Sequence, residues 1–180
     1  YIYLNPCQKI KYTNISADYT SRELHQQLDL LFMAKVAFPV KHSNCDGVPL
    51  AASESSKVFK TIILDIGLMN AIQGLNWSHL RHNDQLLTEG AMAEQFIGQH
   101  LLYSAPSFKE PQLHYWLREG KSHNAELDYV VENDSALVAI EVKSGAAGKI
   151  RSLHQWMQDA KASRKKCIRF NLSKGSKEKI

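Results

Sequence analysis

Two residues one position apart open the chemistry of this chain. In Ala139-Ile-Glu-Val-Lys143 the side chains of an extended strand alternate, so Glu141 and Lys143 share one face and Ile140 and Val142 the other. In Ala125-Glu-Leu-Asp-Tyr-Val-Val131 the same alternation sets Glu126 and Asp128 opposite Leu127 and Tyr129. Asn133-Asp-Ser135 is short enough to join the two strands as a hairpin, which brings Asp128 beside Glu141. Carboxylates at close range repel unless a cation lies between them. Mg2+, or Mn2+ in its place, meets that need: Mg2+ takes one or two carboxylates and keeps its waters for a phosphate substrate. Lys143 would then orient an attacking water or stabilise charge developing on the phosphate.

A third acid comes from a helix. Glu94 lies in line with Ala91, Ile97, Gly98 and Leu101, a small and apolar stripe expected to face inward, where a carboxylate needs a partner. Glu89 is earlier in that helix and equally suits the positive end of its dipole. Each sharp assignment has a plain competitor. Glu141 and Lys143 alone would also make an ordinary exposed ion pair. Glu126 fits a solvent-facing acid, Ser144 the end of a strand and Gln155 a helix surface. His79-x-x-His82 has metal-ligand spacing but lies in a polar loop with no third ligand nearby. Trp77, Trp116 and Trp156 suit core or rim positions better than base-stacking platforms.

The elements that must position these groups follow from periodicity. Thr20 and Glu23 have capping-box spacing, and Leu24, Leu28 and Leu31 repeat at helical intervals, so a helix is expected over Ser21–Lys35. Val36–His42 and Lys57–Asp65 read as strands, and Leu68–Leu75 as a short helix ended by Gly74. A polar connection, Asn76–Asp84, precedes a helix over Glu89–Ser104 that Pro106 stops. Strands are expected at Leu113–Leu117, Ala125–Glu132 and Leu137–Lys143, then a helix over Ile150–Lys165 and a last strand at Cys167–Leu172. Lys9–Thr13 is a further short strand candidate. The sum is a mixed α/β chain.

At 180 residues and 44% hydrophobic, the chain can build a sizeable core, and no apolar run reaches the ~18 residues of a membrane span. It opens on Tyr1 with no signal pattern, as expected of a piece of a longer soluble protein. Three widely spaced cysteines form neither a disulfide framework nor a metal motif and suit a reducing cytoplasm. The net charge of +4 is unevenly placed. From Lys143 to Ile180, eleven Lys and Arg stand against two acids, leaving +9 there and −5 in the rest. Such asymmetry fits a polyanion, with nucleic acid favoured over membrane. Lys161, Arg164, Lys165, Lys166 and Arg169 are the residues that would follow a phosphate backbone, unless they are simply a solvated helix end.

Glu94 on a helix, then Asp128, then Glu141-Val-Lys143 resembles the PD-(D/E)XK nuclease core. The match is closer to one branch. Phe59-Lys60, Asp65-Ile-Gly-Leu68, Glu89-Gly-Ala-x-x-Glu94, Ala125-Glu-Leu-Asp-Tyr-Val-Val131 and Ile140-Glu-Val-Lys-Ser-Gly145 are similar to the C-terminal domain of unknown function of prokaryotic AAA-type ATPases. The resemblance covers roughly Val40 to Phe170. One departure is Leu127, which stands where the superfamily carries Pro. Gly120-Lys-Ser122 is no phosphate-binding loop, since Tyr115 stands where a loop Gly is required.

The resemblance implies a restriction-endonuclease-like mixed sheet flanked by helices over 59–180, preceded by a partial winged-helix segment, a tail or linker, over 1–58. It implies Mg2+-dependent phosphodiester hydrolysis on DNA. Asp128 and Glu141 would hold the metal, Glu94 would support it or its water, and Lys143 would be the catalytic lysine. ATP would belong only to an ATPase domain upstream of Tyr1. That ATPase and its winged-helix module would be partners, and homo-oligomer formation stays open. The competing reading is a catalytically silent module that binds nucleic acid or protein and regulates the ATPase. A weaker third is a structural assembly domain.

Overall fold

Thr20 and Glu23 start the first helix, α1 (Ser21–Met33), as a full capping box: the Thr20 hydroxyl accepts from the Glu23 amide at 3.3 Å, and the Glu23 carboxylate accepts from the Thr20 amide at 2.8 Å. In the computed structural model, residues 7–11, 15–16, 18–75, 89–108, 110–119, 124–144 and 150–171 are described; the side chains of residues 56, 57 and 89 are not. The Asn76–Asp84 connection with Trp77, His79 and His82, the Gly120-Lys-Ser122 segment and most of the Lys9–Thr13 candidate lie outside the described residues, as does the side chain of Glu89. Within that last candidate, Ile10 pairs with Phe59 as an isolated antiparallel bridge.

The chain divides into two compact units, Tyr1–Val40 with Lys57–Gln112, and Lys41–Ser56 with Leu113–Ile180. Strands β1 (Ala37–Ser43), β2 (Glu54–Ile63), β3 (Leu113–Arg118), β4 (Ala125–Asn133), β5 (Ala136–Val142) and β6 (Lys165–Phe170) hydrogen-bond in the order β2-β1-β3-β4-β5-β6. The remaining helices are α2 (Ile66–Ile72), α3 (Glu89–Tyr103) and α4 (Arg151–Asp159). This is a mixed α/β fold, as the sequence pattern predicts. No helix among the described residues is long and apolar enough to cross a membrane.

In the first unit, Leu28 of α1 packs with Ile10 and Phe59, both buried. The helix stops at Met33, two residues short of expectation, because the chain must turn there: Lys35 takes a left-handed φ of 56° before β1 begins. Asp65 caps α2 by accepting from the Leu68 amide at 3.1 Å, and Gly74 closes the following turn at φ 73°. The helix α3 is bound to the end of β2 by an amide side chain. Gln95 is fully buried; its Oε1 accepts from the Ile63 N–H at 2.9 Å and its Nε2 donates to the Ile63 carbonyl at 2.6 Å. Both polar groups of that strand residue are thereby satisfied away from water.

In the second unit, β4 and β5 form the expected hairpin, with Asn133 opposite Ala136 and the two turn residues Asp134 and Ser135 at φ 47° and 66°. Positive φ at both central positions is the backbone that matches strand twist. The strands β5 and β6 run parallel, joined through α4. Trp156 and Leu153 of α4 pack against Leu137 and Ala139 of β5 and Leu127 and Val130 of β4. Here α4 ends at Asp159, well before the expected Lys165, because a parallel partner for β5 must start at Lys165. Lys165 serves the junction itself: its ammonium donates to the Met157 and Ala160 carbonyls at 2.5 and 2.8 Å, satisfying groups at the end of α4.

Candidate active site

The ladder between β4 and β5 runs from Asn133–Ala136 down to Tyr129–Ile140, so Asp128 and Glu141 are the next residues on their strands. On its other edge, β4 is irregular. His114 pairs with Val130 and Trp116 with Leu127, three steps along β4 against two along β3. One extra residue in β4 is a β-bulge. Its effect on the core is direct: Leu127 and Val130 both belong to the α4-side core, which strict alternation forbids. Sequence alternation therefore describes β4 only up to Leu127.

At the end of the ladder, the Asp128 carboxylate accepts from the Val142 N–H at 2.7 Å. A side chain takes the place a backbone carbonyl would hold in a continuing ladder, and the carboxylate is pinned to the last residue of β5. Glu141, one position earlier, is 3% exposed. Its Oε1 lies 3.0 Å from the Lys143 ammonium, whose side chain is 39% exposed. Its Oε2 is buried and has no hydrogen-bond partner among the described residues. An acceptor taken from water and left open is costly, so this oxygen calls for a cation or a donor. The expected Asp128–Glu141–Lys143 grouping thus lies within one unit.

Glu94 lies in the other unit. It forms a 2.9 Å ion pair with Lys60, a mid-strand lysine that is 2% exposed. Lys60 is the partner that an inward-facing carboxylate at Glu94 requires. The available signal was an ammonium between Phe59 and Ile62 in an apolar strand. Glu126 and Ser144 are half-buried. The Gln155 amide donates to both carboxylate oxygens of Asp159 at 3.1 Å, and Asp159 also pairs with Arg118 at 2.9 Å. Trp116 and Trp156 are core residues.

The five basic residues do not form the helix end that was considered for them. Lys161 follows α4 and pairs with Asp46 at 3.2 Å, exposed; Arg164 is exposed; Lys165 is spent on the helix carbonyls. Lys166 and Arg169 stand on β6, at positions of opposite exposure. A second charged cluster escaped sequence reasoning altogether. Glu54 bridges His114 at 2.6 Å and Lys41 at 2.9 Å. Burial pushes the Glu54 carboxyl up, but the bonds from His114 and Lys41 outweigh it and hold the group below its ordinary value. Three distant segments supply these residues, so no local spacing announces them.

Among the described residues, no group of three or more His, Cys, Asp and Glu side chains is gathered closely enough to hold a metal. The donors present at this strand end are two carboxylates, one bound to the Val142 N–H and one with a buried open oxygen, and carboxylate oxygen is the ligand type that hard divalent cations take.

A family model described as a domain of unknown function, DUF4143, matches residues 89–179. The chain belongs to this family. The DUF4143 stretch runs from the start of α3 past the end of β6 and contains Glu94, Asp128, Glu141 and Lys143. No curated protein matches the chain, and no solved structure does.

Proposed function

We propose that this DUF4143 chain is a PD-(D/E)XK nuclease-like module of restriction-endonuclease type that hydrolyses phosphodiester bonds of DNA with Mg2+ or Mn2+. In the parent protein it would follow an AAA-type ATPase and a winged-helix segment, in the cytoplasm. One observation carries the reading: a buried glutamate with an open oxygen, salt-bridged to a half-exposed lysine, on the strand end to which the aspartate of the neighbouring strand is pinned.

Asp128 and Glu141 would hold the metal, which when bound supplies Lewis acidity toward the phosphate and a more acidic water. The chain's own residues do the rest. The Val142 N–H fixes the Asp128 carboxylate, so it needs no reorganisation to serve as a ligand. Burial of Glu141 keeps water from competing for it. Lys143 is exposed enough to reach a bound phosphate, where its ammonium can orient the attacking water or stabilise the added negative charge. Glu94 would support the metal or its water, as its place on an inward-facing helix stripe and the resemblance suggest, and it is held by its ion pair with Lys60.

The silent-module reading draws on the same contacts. Glu141 already has a cation in Lys143, and Glu94 has one in Lys60, so both acids are partly neutralised without metal. Calorimetric titration of Mg2+ and Mn2+ into the chain and into Asp128→Asn and Glu141→Gln separates the two. The nuclease reading expects binding that both variants lose, followed by cleavage of single- or double-stranded DNA that Lys143→Ala abolishes. Wild-type protein that binds neither metal, even with a DNA duplex present, would overturn the nuclease reading and favour the silent module.

A further inference from the structure

The parallel pair β5–β6 places a second basic residue at the ladder position beside the buried glutamate. Glu141 is the ladder partner of Arg169, Val142 is the partner of Phe170, and the Lys143 N–H donates to the Phe170 carbonyl at 2.9 Å. The register therefore holds to the end of both strands. Ladder partners in a parallel pair project from the same face, and the strands lie about 4.8 Å apart. Exposure along β6 agrees: Lys165, Cys167 and Arg169 are half-buried, while Lys166, Ile168 and Phe170 are exposed. Cys167 packs against the core that contains α4, Leu137 and Ala139. Arg169 thus extends that covered face beyond its apolar part, beside Glu141.

Lys143, ion-paired with Glu141, and Arg169, the ladder neighbour of Glu141, thus put two cations at the strand ends that carry the buried carboxylate. With Asp128 the four side chains sum to zero, and a divalent metal would leave the site at +2, the charge condition for holding a phosphodiester. Both cations stand at the carboxyl ends of the two parallel strands, the place where ligands of open α/β sheets bind. A guanidinium suits that task better than an ammonium, since its planar fork can meet two phosphate oxygens at once.

We propose that Arg169 binds a non-bridging oxygen of the DNA phosphate at the Asp128–Glu141–Lys143 site and positions it there. This assigns Arg169 to the site itself, unlike Lys161, Lys165 and Lys166, and it rests on the nuclease-like reading of that site. The test measures binding of a fluorescent 20-nucleotide DNA, single-stranded and duplex, by anisotropy over a series of NaCl concentrations in Ca2+. Wild type is compared with Arg169→Gln and Arg169→Lys, with melting temperature recorded for each.

A phosphate contact predicts that Arg169→Gln binds roughly tenfold more weakly and that its log K against log salt slope is shallower by about 0.7 to 0.9. Arg169→Lys should keep the slope and lose part of the affinity, and it decides the matter if the Gln variant does not fold. A counter-ion of Glu141 with no substrate role would instead lower the melting temperature of the Gln variant and leave affinity and slope unchanged, which overturns the assignment while wild type still binds. Wild-type protein that binds neither DNA overturns the nuclease-like reading as well, and Arg169 with it.

Discussion

Removing Lys143 should take from the buried Glu141 carboxylate its 3.0 Å ion pair, leaving the strand neighbour Arg169 to offset the charge, and the cost can be sized from the structure. The ion pair spans 3.0 Å, with the carboxylate side chain 4% exposed and the lysine 39% exposed. Coulomb attraction at that distance is about 5 to 6 kcal/mol at an effective dielectric of 20, before the desolvation that offsets it. Breaking a fully buried pair costs about 3 to 5 kcal/mol because one charge stays behind. Water reaches the Lys143 end, which screens the pair, so Lys143→Ala should lose about 1 to 3 kcal/mol. At about 2 to 4 °C per kcal/mol for a chain of this size, the melting temperature should fall by several degrees.

The diagnostic variant is the double one. Replacing Glu141 by Gln in the Lys143→Ala background removes the stranded charge while keeping the shape, so it should recover most of the loss, about 1 kcal/mol or more. Urea unfolding at pH 7, followed through tryptophan emission, to which Trp116 and Trp156 of the same unit contribute, gives both numbers. A double variant no more stable than Lys143→Ala would refute the claim that Glu141 is a buried charge held by this lysine.

Two further outcomes concern the second unit. Glu54 is held below its ordinary value near 4.5, so its stabilising contribution is complete above that pH and is lost as pH falls through the lowered value; Glu54→Gln should flatten the acid limb of a stability-against-pH curve, and an unchanged limb would contradict the bridge to His114 and Lys41. Ser135 sits at φ 66° in the hairpin turn, so Ser135→Gly should stabilise the chain by about 0.5 kcal/mol, the left-handed penalty relieved less the entropy of glycine, as read from urea midpoints.

Local chemistry carried much of the fold. The Thr20–Glu23 box, the Gly74 stop and the Asn133–Ala136 hairpin are signals spanning a few residues, and each operates in the structure as spacing predicts. Where a distant partner decides, local pattern misled. The helix α4 ends six residues before the periodicity does, because β6 must begin at Lys165 to lie parallel to β5. The bulge in β4 comes from its pairing with β3 and reverses the alternation just where Asp128 stands.

The same division runs through the site. Residue types and one-residue spacing sufficed to single out Asp128, Glu141 and Lys143: alternation along β5 sets Glu141 and Lys143 to one side, and the short hairpin brings Asp128 to the same strand end although the bulge interrupts its own alternation. Spacing along the chain could not reveal that Asp128 binds the Val142 amide, that Lys60 neutralises Glu94, or that Arg169 is the ladder partner of Glu141. Burial and cross-strand register create those relations. Neither exists until the strands have paired and the helix has covered them.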